Sequence, residues 1–295
     1  MKRVFFLGCN ALGDTLCTTP VVRAFRKGHP DFAVTYVVHN ATYCRVLDGN
    51  PDIDLVIYNE HLWLHGDSGV SEEWMRSLPL CIEEAAPVYH FDMTGVCRRA
   101  ESFREHIATG FSRLLGIPID TVRPVVHTTP EERRLARSFT HGPYVVFSMH
   151  SHANPVLRDG LGAKDWQPEK WIRLAQHIRT EWGWDVIAVG AEGDPQRPWP
   201  SVRNLYGLPI KIVAALLERA SCVVTLENGL AHLCAGVNAR TVVLYSRIVP
   251  LEWAYPREST GAEVIYEDPR IIPCDRVIAA VENIAGVGCP SVVRE

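Results

Sequence analysis

The sequence lacks the features that mark several simpler functional classes. Its nine cysteines form no C-x-x-C pair. An odd, unpatterned set in a chain of this size reads as reduced thiols, neither a disulfide framework nor a structural zinc site. No apolar run reaches the roughly 18 residues that a membrane-spanning helix needs, which leaves only peripheral membrane association open. The net charge is −4, without the basic excess that would point to nucleic acid as a partner. Internal repeats and low-complexity tracts are missing. The glycines of Leu7-Gly8-Cys9-Asn10-Ala11-Leu12-Gly13 do not make G-x-G-x-x-G, which argues against a simple dinucleotide dehydrogenase. His150 and His152 have no third ligand close by in sequence, so no metal is expected. Cys9 and Cys17 show no activating partner and read as buried thiols. What is left has ordinary globular composition, 47% hydrophobic and 22% charged, and is expected in the cytoplasm.

What is present is an alternation of strands and helices. Residues 4–8, 34–38, 55–58 and 88–92 read as buried strands. Met1 to Gly8 is taken as the first of these and not as a leader, because its short apolar run passes straight into Asn10 and Asp14. Between the strands lie helical patterns over residues 14–27, with Pro20 a possible true start, and over 41–47, 71–86 and 101–115. Residues 117–142 are proline-punctuated and charged, with a short surface helix around Glu131-Glu132-Arg133-Arg134. A second series follows: strands at 144–149, 186–190, 222–226, 241–245 and 264–266, with helices at 166–182, 210–219, 230–237 and 277–284. Strands separated by helices imply right-handed crossovers and parallel sheets. The expectation is an α/β protein of two Rossmann-like units facing each other across a cleft, divided into residues 1–125 and 126–295.

The most informative stretch is Val223-Val224-Thr225-Leu226-Glu227-Asn228-Gly229-Leu230-Ala231-His232-Leu233-Cys234-Ala235. A β-branched run gives way to a polar trio and then to apolar residues at helical spacing, which is a buried strand, a tight turn and a helix start. Ligands of open α/β sheets bind at such places, and a helix N-terminus suits phosphate. An ordinary turn with Asn228 as N-cap accounts for the same residues equally well.

Three segments resemble the motifs of glycosyltransferase family nine, the ADP-heptose:lipopolysaccharide heptosyltransferases. They are Gly13-Asp14-Thr15-Leu16-Cys17-Thr18-Thr19-Pro20, then Lys164-Asp165-Trp166-Gln167-Pro168-Glu169-Lys170-Trp171, then Glu227-Asn228-Gly229-Leu230-Ala231-His232-Leu233-Cys234-Ala235. They occur in the family's order. Glu227 stands where the family motif has Asp, and Asn228 where it has Ser or Thr. The resemblance implies a GT-B fold and inverting, metal-independent transfer with no cofactor beyond a substrate nucleotide sugar, ADP-linked. The donor would lie in the C-terminal half, and the acceptor would be a glycan or glycolipid.

Glycosyl transfer needs a base for the acceptor hydroxyl, support for positive charge on the sugar and neutralisation of the departing diphosphate. Asp14, in the turn after the first strand, is the candidate base; the plain alternative is a helix cap. Lys164, before a helix start, can reach diphosphate oxygens, although most lysines are solvated surface residues. Asn228, Gly229 and Leu230 offer the helix start, and Glu227 lies near the sugar or ribose. Glu192 and Asp194, in the turn after a buried strand, can bond ribose hydroxyls. Ser148, His150, Ser151 and Asn154 can donate to phosphate. His232 either packs or orients the phosphate loop. On the acceptor side stand Gly13, Thr15, Arg98 and Arg99, the arginines reading equally well as a salt-bridged helix face with Arg104, Arg113, Glu101 and Glu105. A sugar-nucleotide epimerase on the same architecture is the alternative enzyme. A binding or assembly protein without turnover is the alternative motivated by Glu227 and Asn228.

Overall fold

The computed structural model describes residues 2–9, 11–59, 86–98, 103–151, 162–195, 199 and 201–287. Among these, the β-branched and aromatic runs form two separate sheets. The first holds β1 (Lys2–Leu7), β2 (Phe32–Val38), β3 (Leu55–Tyr58) and β4 (Val88–His90) in the order β3-β2-β1-β4. The second holds β5 (Tyr144–Ser148), β6 (Asp185–Gly190), β7 (Arg203–Tyr206), β8 (Cys222–Leu226), β9 (Thr241–Tyr245) and β10 (Glu263–Tyr266) in the order β10-β9-β8-β5-β6-β7. Every neighbouring pair is parallel. β5, β8 and β9 are buried along their whole length, because crossover helices cover both faces of a parallel sheet.

Strand order places the sites. In the first sheet the chain runs outward from β1 through β2 to β3, then returns to the other side of β1 as β4. In the second it runs from β5 through β6 to β7, then returns beside β5 as β8. Each reversal opens a crevice beyond the carboxyl ends of the two strands that flank it. The chain leaving β1 enters α1 (Leu12–Gly28), and the chain leaving β8 enters α8 (Gly229–Gly236). The helices between them are α2 (Ala41–Leu47), α3 (Met93–Cys97), α4 (Ile107–Leu115), α5 (Pro130–Ser138), α6 (Pro168–Glu181) and α7 (Ile210–Arg219). The short α9 (Leu251–Ala254) and α10 (Arg257–Thr260) and the closing α11 (Cys274–Ala285) follow.

Most elements lie where the sequence pattern puts them, and the departures have local causes. Pro20 does not start α1 but sits inside it. Proline cannot donate to the carbonyl four residues back; here Thr19 Oγ1 donates to that carbonyl, Leu16 O, at 2.6 Å. The pattern over 101–115 yields a helix only from Ile107, where the His106 ring accepts the Ala108 amide at 3.1 Å. The charged stretch after residue 129 is a helix with a full capping box between Thr129 and Glu132. β7 has no alternating pattern to announce it. The expected helix at 71–86 falls, but for its last residue, outside the described residues.

The halves meet along α1 and α8, along α2 and α7, and through a continuous apolar cluster that includes residues of both sheets. Phe103 stacks obliquely on Trp253, ring centroids 4.5 Å apart. Lys211, buried on α7, donates to the carbonyl of Asp48 at the end of α2 (2.7 Å) and to that of His127 in the connecting stretch. Lys211→Met deprives both carbonyls of their donor. We expect it to lower unfolding free energy by about 2 kcal/mol, the cost of stranded acceptors less the relief of burying an ammonium. A urea midpoint equal to that of the parent would contradict this.

Candidate active site

At the second crevice the key side chain is Asn228. Its Oδ1 accepts the amides of Leu230 (2.9 Å) and Ala231 (3.1 Å), capping α8, and also the Thr225 hydroxyl (3.2 Å). Its Nδ2 donates to Ser148 Oγ (2.9 Å) and to the His150 carbonyl (2.7 Å). Asn228 therefore ties the end of β8 to the end of β5 across the crevice. Serine or threonine could cap but not bridge, and an aspartate would lack the two donors. The Leu230 amide is taken by this cap. The helix-start amides that no described hydrogen bond uses are those of Asn228 and Gly229.

Beside it, Lys164 Nζ lies 2.9 Å from Glu227 Oε1, with side chains only 11% and 9% exposed. Glu227 Oε2 accepts the Ser246 hydroxyl at 2.5 Å, and the Glu227 carbonyl accepts Ser151 Oγ at 3.1 Å. Lys164 is thus no solvated surface lysine. It is an ammonium held at the crevice by a carboxylate that is itself fixed by a neighbouring strand. The part of Ser246 is not signalled by any motif. It is a polar residue directly after a buried strand adjacent to β8, a position that parallel pairing brings level with the Glu227 turn.

At the first crevice, Asp14 is the third residue of α1 and not its cap, since the cap position is Ala11, which has no side-chain acceptor. No hydrogen bond among the described residues engages the Asp14 carboxylate. Burial pushes its pKa up to about 6, so desolvation outweighs the pull of the helix N-terminus toward the ionised form. The neighbouring thiols of Cys9 and Cys17 are pushed well above their ordinary range, chiefly by burial and then by Asp14. They are not poised as nucleophiles. Cys9 Sγ lies 3.4 Å from the Phe91 carbonyl and links the chain just past the ends of β1 and β4.

The two crevices face each other. A side-chain carbon on Gly13 would lie 2.7 Å from His232 Cδ2, and one on Gly229 would lie 3.2 Å from Leu12 Cβ. A side chain on Gly13 would force the His232 ring to move, and one on Gly229 would crowd Leu12. Cys17 Sγ on α1 lies 3.4 Å from His232 Nδ1 on α8. Burial, then the charges of His106 and Lys164, push the His232 pKa down to about 3. The charge of Asp14 raises the Cys17 thiol and that of Lys164 lowers the His232 imidazole, while Glu227 touches Lys164 and Ser246 directly.

The remaining sequence candidates are placed less centrally. Thr15 is buried, its hydroxyl 3.5 Å from the Cys9 carbonyl, and shapes the turn. Asp194 Oδ2 accepts the Ala191 amide at 2.8 Å and closes the turn after β6, with Glu192 exposed beside it. His150 Nε2 lies 3.2 Å from the Tyr206 hydroxyl. Arg98 is exposed at the end of α3. Arg113 on α4 pairs with Glu105 at 2.6 Å, but Glu105 lies before the helix, so the pair does not form one helix face. Arg99, Glu101, His152 and Asn154 lie outside the described residues. Among the described residues no group of three His, Cys, Asp or Glu side chains could hold a metal ion, and no helix is long and apolar enough to cross a membrane.

Two parallel sheets, opposed at their switch points and flanked by helices, make a GT-B-like fold. Solved structures share it over nearly the whole chain. A glycosyl transferase family 9 protein from Veillonella parvula superposes with a TM-score of 0.72 at 18% identity, covering 96% of this chain and 97% of that one. E. coli ADP-heptose LPS heptosyltransferase II gives 0.66 at 17%, covering 97% and 98%. E. coli heptosyltransferase WaaC with ADP gives 0.64 at 15%, covering 96% and 98%. No curated protein matches the sequence. The model of glycosyltransferase family 9 (heptosyltransferase) matches residues 101–266, more than half of the chain, and the chain belongs to that family. The matched span contains the Lys164 and Glu227 segments; the Asp14 segment lies outside it.

Proposed function

We propose that this glycosyltransferase is inverting and metal-independent and moves a sugar, heptose, from an ADP-linked donor to a glycan or lipopolysaccharide-type acceptor. The observation that carries the reading is the close approach of the starts of α1 and α8 at Gly13, Gly229 and His232. It brings the helix that bears Asp14, a carboxylate with a pKa of about 6, against the helix start that follows Glu227, the partner of Lys164. A base titrating near neutrality both accepts a proton and is ionised when needed.

In the proposed reaction the acceptor hydroxyl oxygen attacks the anomeric carbon while its proton passes to an Asp14 carboxylate oxygen. The bond from the anomeric carbon to the diphosphate oxygen breaks, and ADP leaves with the electron pair. One displacement inverts the anomeric centre. Lys164 and the amides of Asn228 and Gly229 stabilise the departing diphosphate. Ser151 and Leu230 support this turn, and His232 stands on the donor side at the start of α8. Glu227 holds Lys164 and faces the sugar or ribose, while Glu192 and Asp194 are assigned to the ribose hydroxyls. Gly13, Thr15, Arg98 and Arg99 belong to the acceptor side. The division into an acceptor unit, 1–125, and a donor unit, 126–295, follows the two sheets, and catalysis in the cytoplasm fits a nucleotide-sugar donor. The E. coli relative was solved with ADP and with ADP-2-deoxy-2-fluoro heptose, which supports an adenine nucleotide here.

A thermal-shift panel of ADP, UDP and GDP and their sugar conjugates tests the donor. A ligand at a hundred times its Kd stabilises the native state by about 2.7 kcal/mol, and ADP-heptose is expected to raise the melting temperature most. A larger shift with a uridine or guanosine nucleotide would replace the donor, and no shift with any would remove the function.

A further inference from the structure

Cys17 lies three residues after Asp14 on α1, so the two side chains share a helix face. Its Sγ lies 3.4 Å from His232 Nδ1, across the seam between the two halves. Both groups are held neutral. Burial and then Asp14 push the thiol up, and burial, His106 and Lys164 push the imidazole down to about 3. A neutral imidazole carries one ring proton, and the partner of one nitrogen decides which nitrogen holds it. Sulfur is a weak acceptor, whereas a bare ring nitrogen is a good one. The thiol therefore donates to Nδ1, and the proton stays on Nε2. Nε2 faces the residue before Asp14, since a side-chain carbon on Gly13 would lie 3.3 Å from it. Among the described residues, the contact with Cys17 is the only hydrogen bond of the His232 ring.

We propose that Cys17 is a positioning residue. By hydrogen-bonding Nδ1 it fixes His232 as the Nε2–H tautomer and presents that N–H at the seam beside Asp14, as a neutral donor to a diphosphate oxygen. The ligand rests on the donor reading above; the tautomer does not. The same bond registers the helix that carries Asp14 against the helix that starts the donor crevice, so it also reports the alignment of the two halves.

The test is nitrogen NMR of the imidazole in full-length protein labelled at histidine, with ADP as the probe. The parent is expected to show His232 protonated at Nε2 and bare at Nδ1, and ADP is expected to shift the Nε2–H resonance. Cys17→Ala is expected to lose the tautomer preference and to raise the Kd for ADP by roughly 2- to 12-fold, the range for one hydrogen bond. Cys17→Ser, which keeps a donor, is expected to retain the tautomer and most of the affinity. A parent spectrum with the proton on Nδ1 overturns the proposal whatever the variants do. So does a Cys17→Ala protein with the parental tautomer and the parental ADP affinity. A Cys17-dependent Nε2–H that ADP leaves unmoved supports the tautomer lock and overturns the diphosphate contact.

Discussion

Asp14→Asn is expected to transfer sugar about 10²–10⁴-fold more slowly than the parent, the range for loss of a positioned base, while melting at the same temperature or higher. The two effects have one cause. Burial raises the Asp14 pKa from 3.8 to about 6. Between those values the native state binds a proton that the unfolded chain has released, so this group's contribution to stability is present at low pH and is lost as pH rises through 6. At pH 7 the ionised carboxylate therefore weakens the fold by roughly 1–3 kcal/mol. Asparagine is of the same size and never ionises, so the substitution removes that cost along with the base. The parental kcat/KM should rise with pH through about 6 as Asp14 deprotonates, and the variant should lose that limb. Donor affinity should hold or rise slightly, because Asp14 makes no bond to the diphosphate and its charge, where it acts across the seam, opposes that of the phosphates. An Asp14→Asn protein that transfers at the parental rate would remove Asp14 as the base. One that unfolds would make the residue structural.

Lys164→Ala carries the second large effect, on stability and on donor binding at once. Removing one member of a buried ion pair typically costs about 3–5 kcal/mol, because the other charge is left uncompensated. Here Ser246 still donates to Glu227 at 2.5 Å, and a loss of about 3 kcal/mol is expected in urea denaturation. Lys164→Met combined with Glu227→Gln removes both charges and should recover most of it. On the folded protein, calorimetry should show ADP binding weakened by roughly 1–3 kcal/mol if the ammonium makes a charge-assisted bond to phosphate. Glu227→Gln is the control. It removes the charge of the same pair but keeps the ammonium, so ADP binding should weaken less than in Lys164→Ala, by no more than the Glu227 contact with the ribose contributes. Equal weakening in both single variants would assign the loss to distorted structure, with Lys164 making no phosphate contact.

Much of the architecture is legible in the chain because it rests on short-range regularities. The β-branched runs at 144–148, 222–226 and 241–245 are buried on both faces and have no other stable use. The Asn228 cap and the Thr129–Glu132 box are local hydrogen bonds that a few adjacent residues determine. The misses follow the same logic. Pro20 looks like a helix start until a hydroxyl from Thr19 takes the carbonyl that proline leaves. The four residues of β7 carry no alternation, so only their neighbour β6 makes them a strand.

The candidate site divides along the same line. From sequence alone come the α/β class, the helix start that carries Asp14 (as the third helical residue and not in the turn before it), the helix start at Asn228 and Lys164 ahead of a helix, since each depends on residues within one turn of each other. Which of these groups meet was decided only by the tertiary structure. Strand order sets β1 beside β4 and β8 beside β5 and so creates the two crevices. The approach of Gly13 and Gly229 brings them face to face. Residues 164 and 227 become an ion pair, 227 and 246 a hydrogen bond, and 17 and 232 a thiol–imidazole contact, across separations that leave no periodic trace in the chain. Burial, which no local pattern reports, then turns an ordinary aspartate into one that titrates near neutrality.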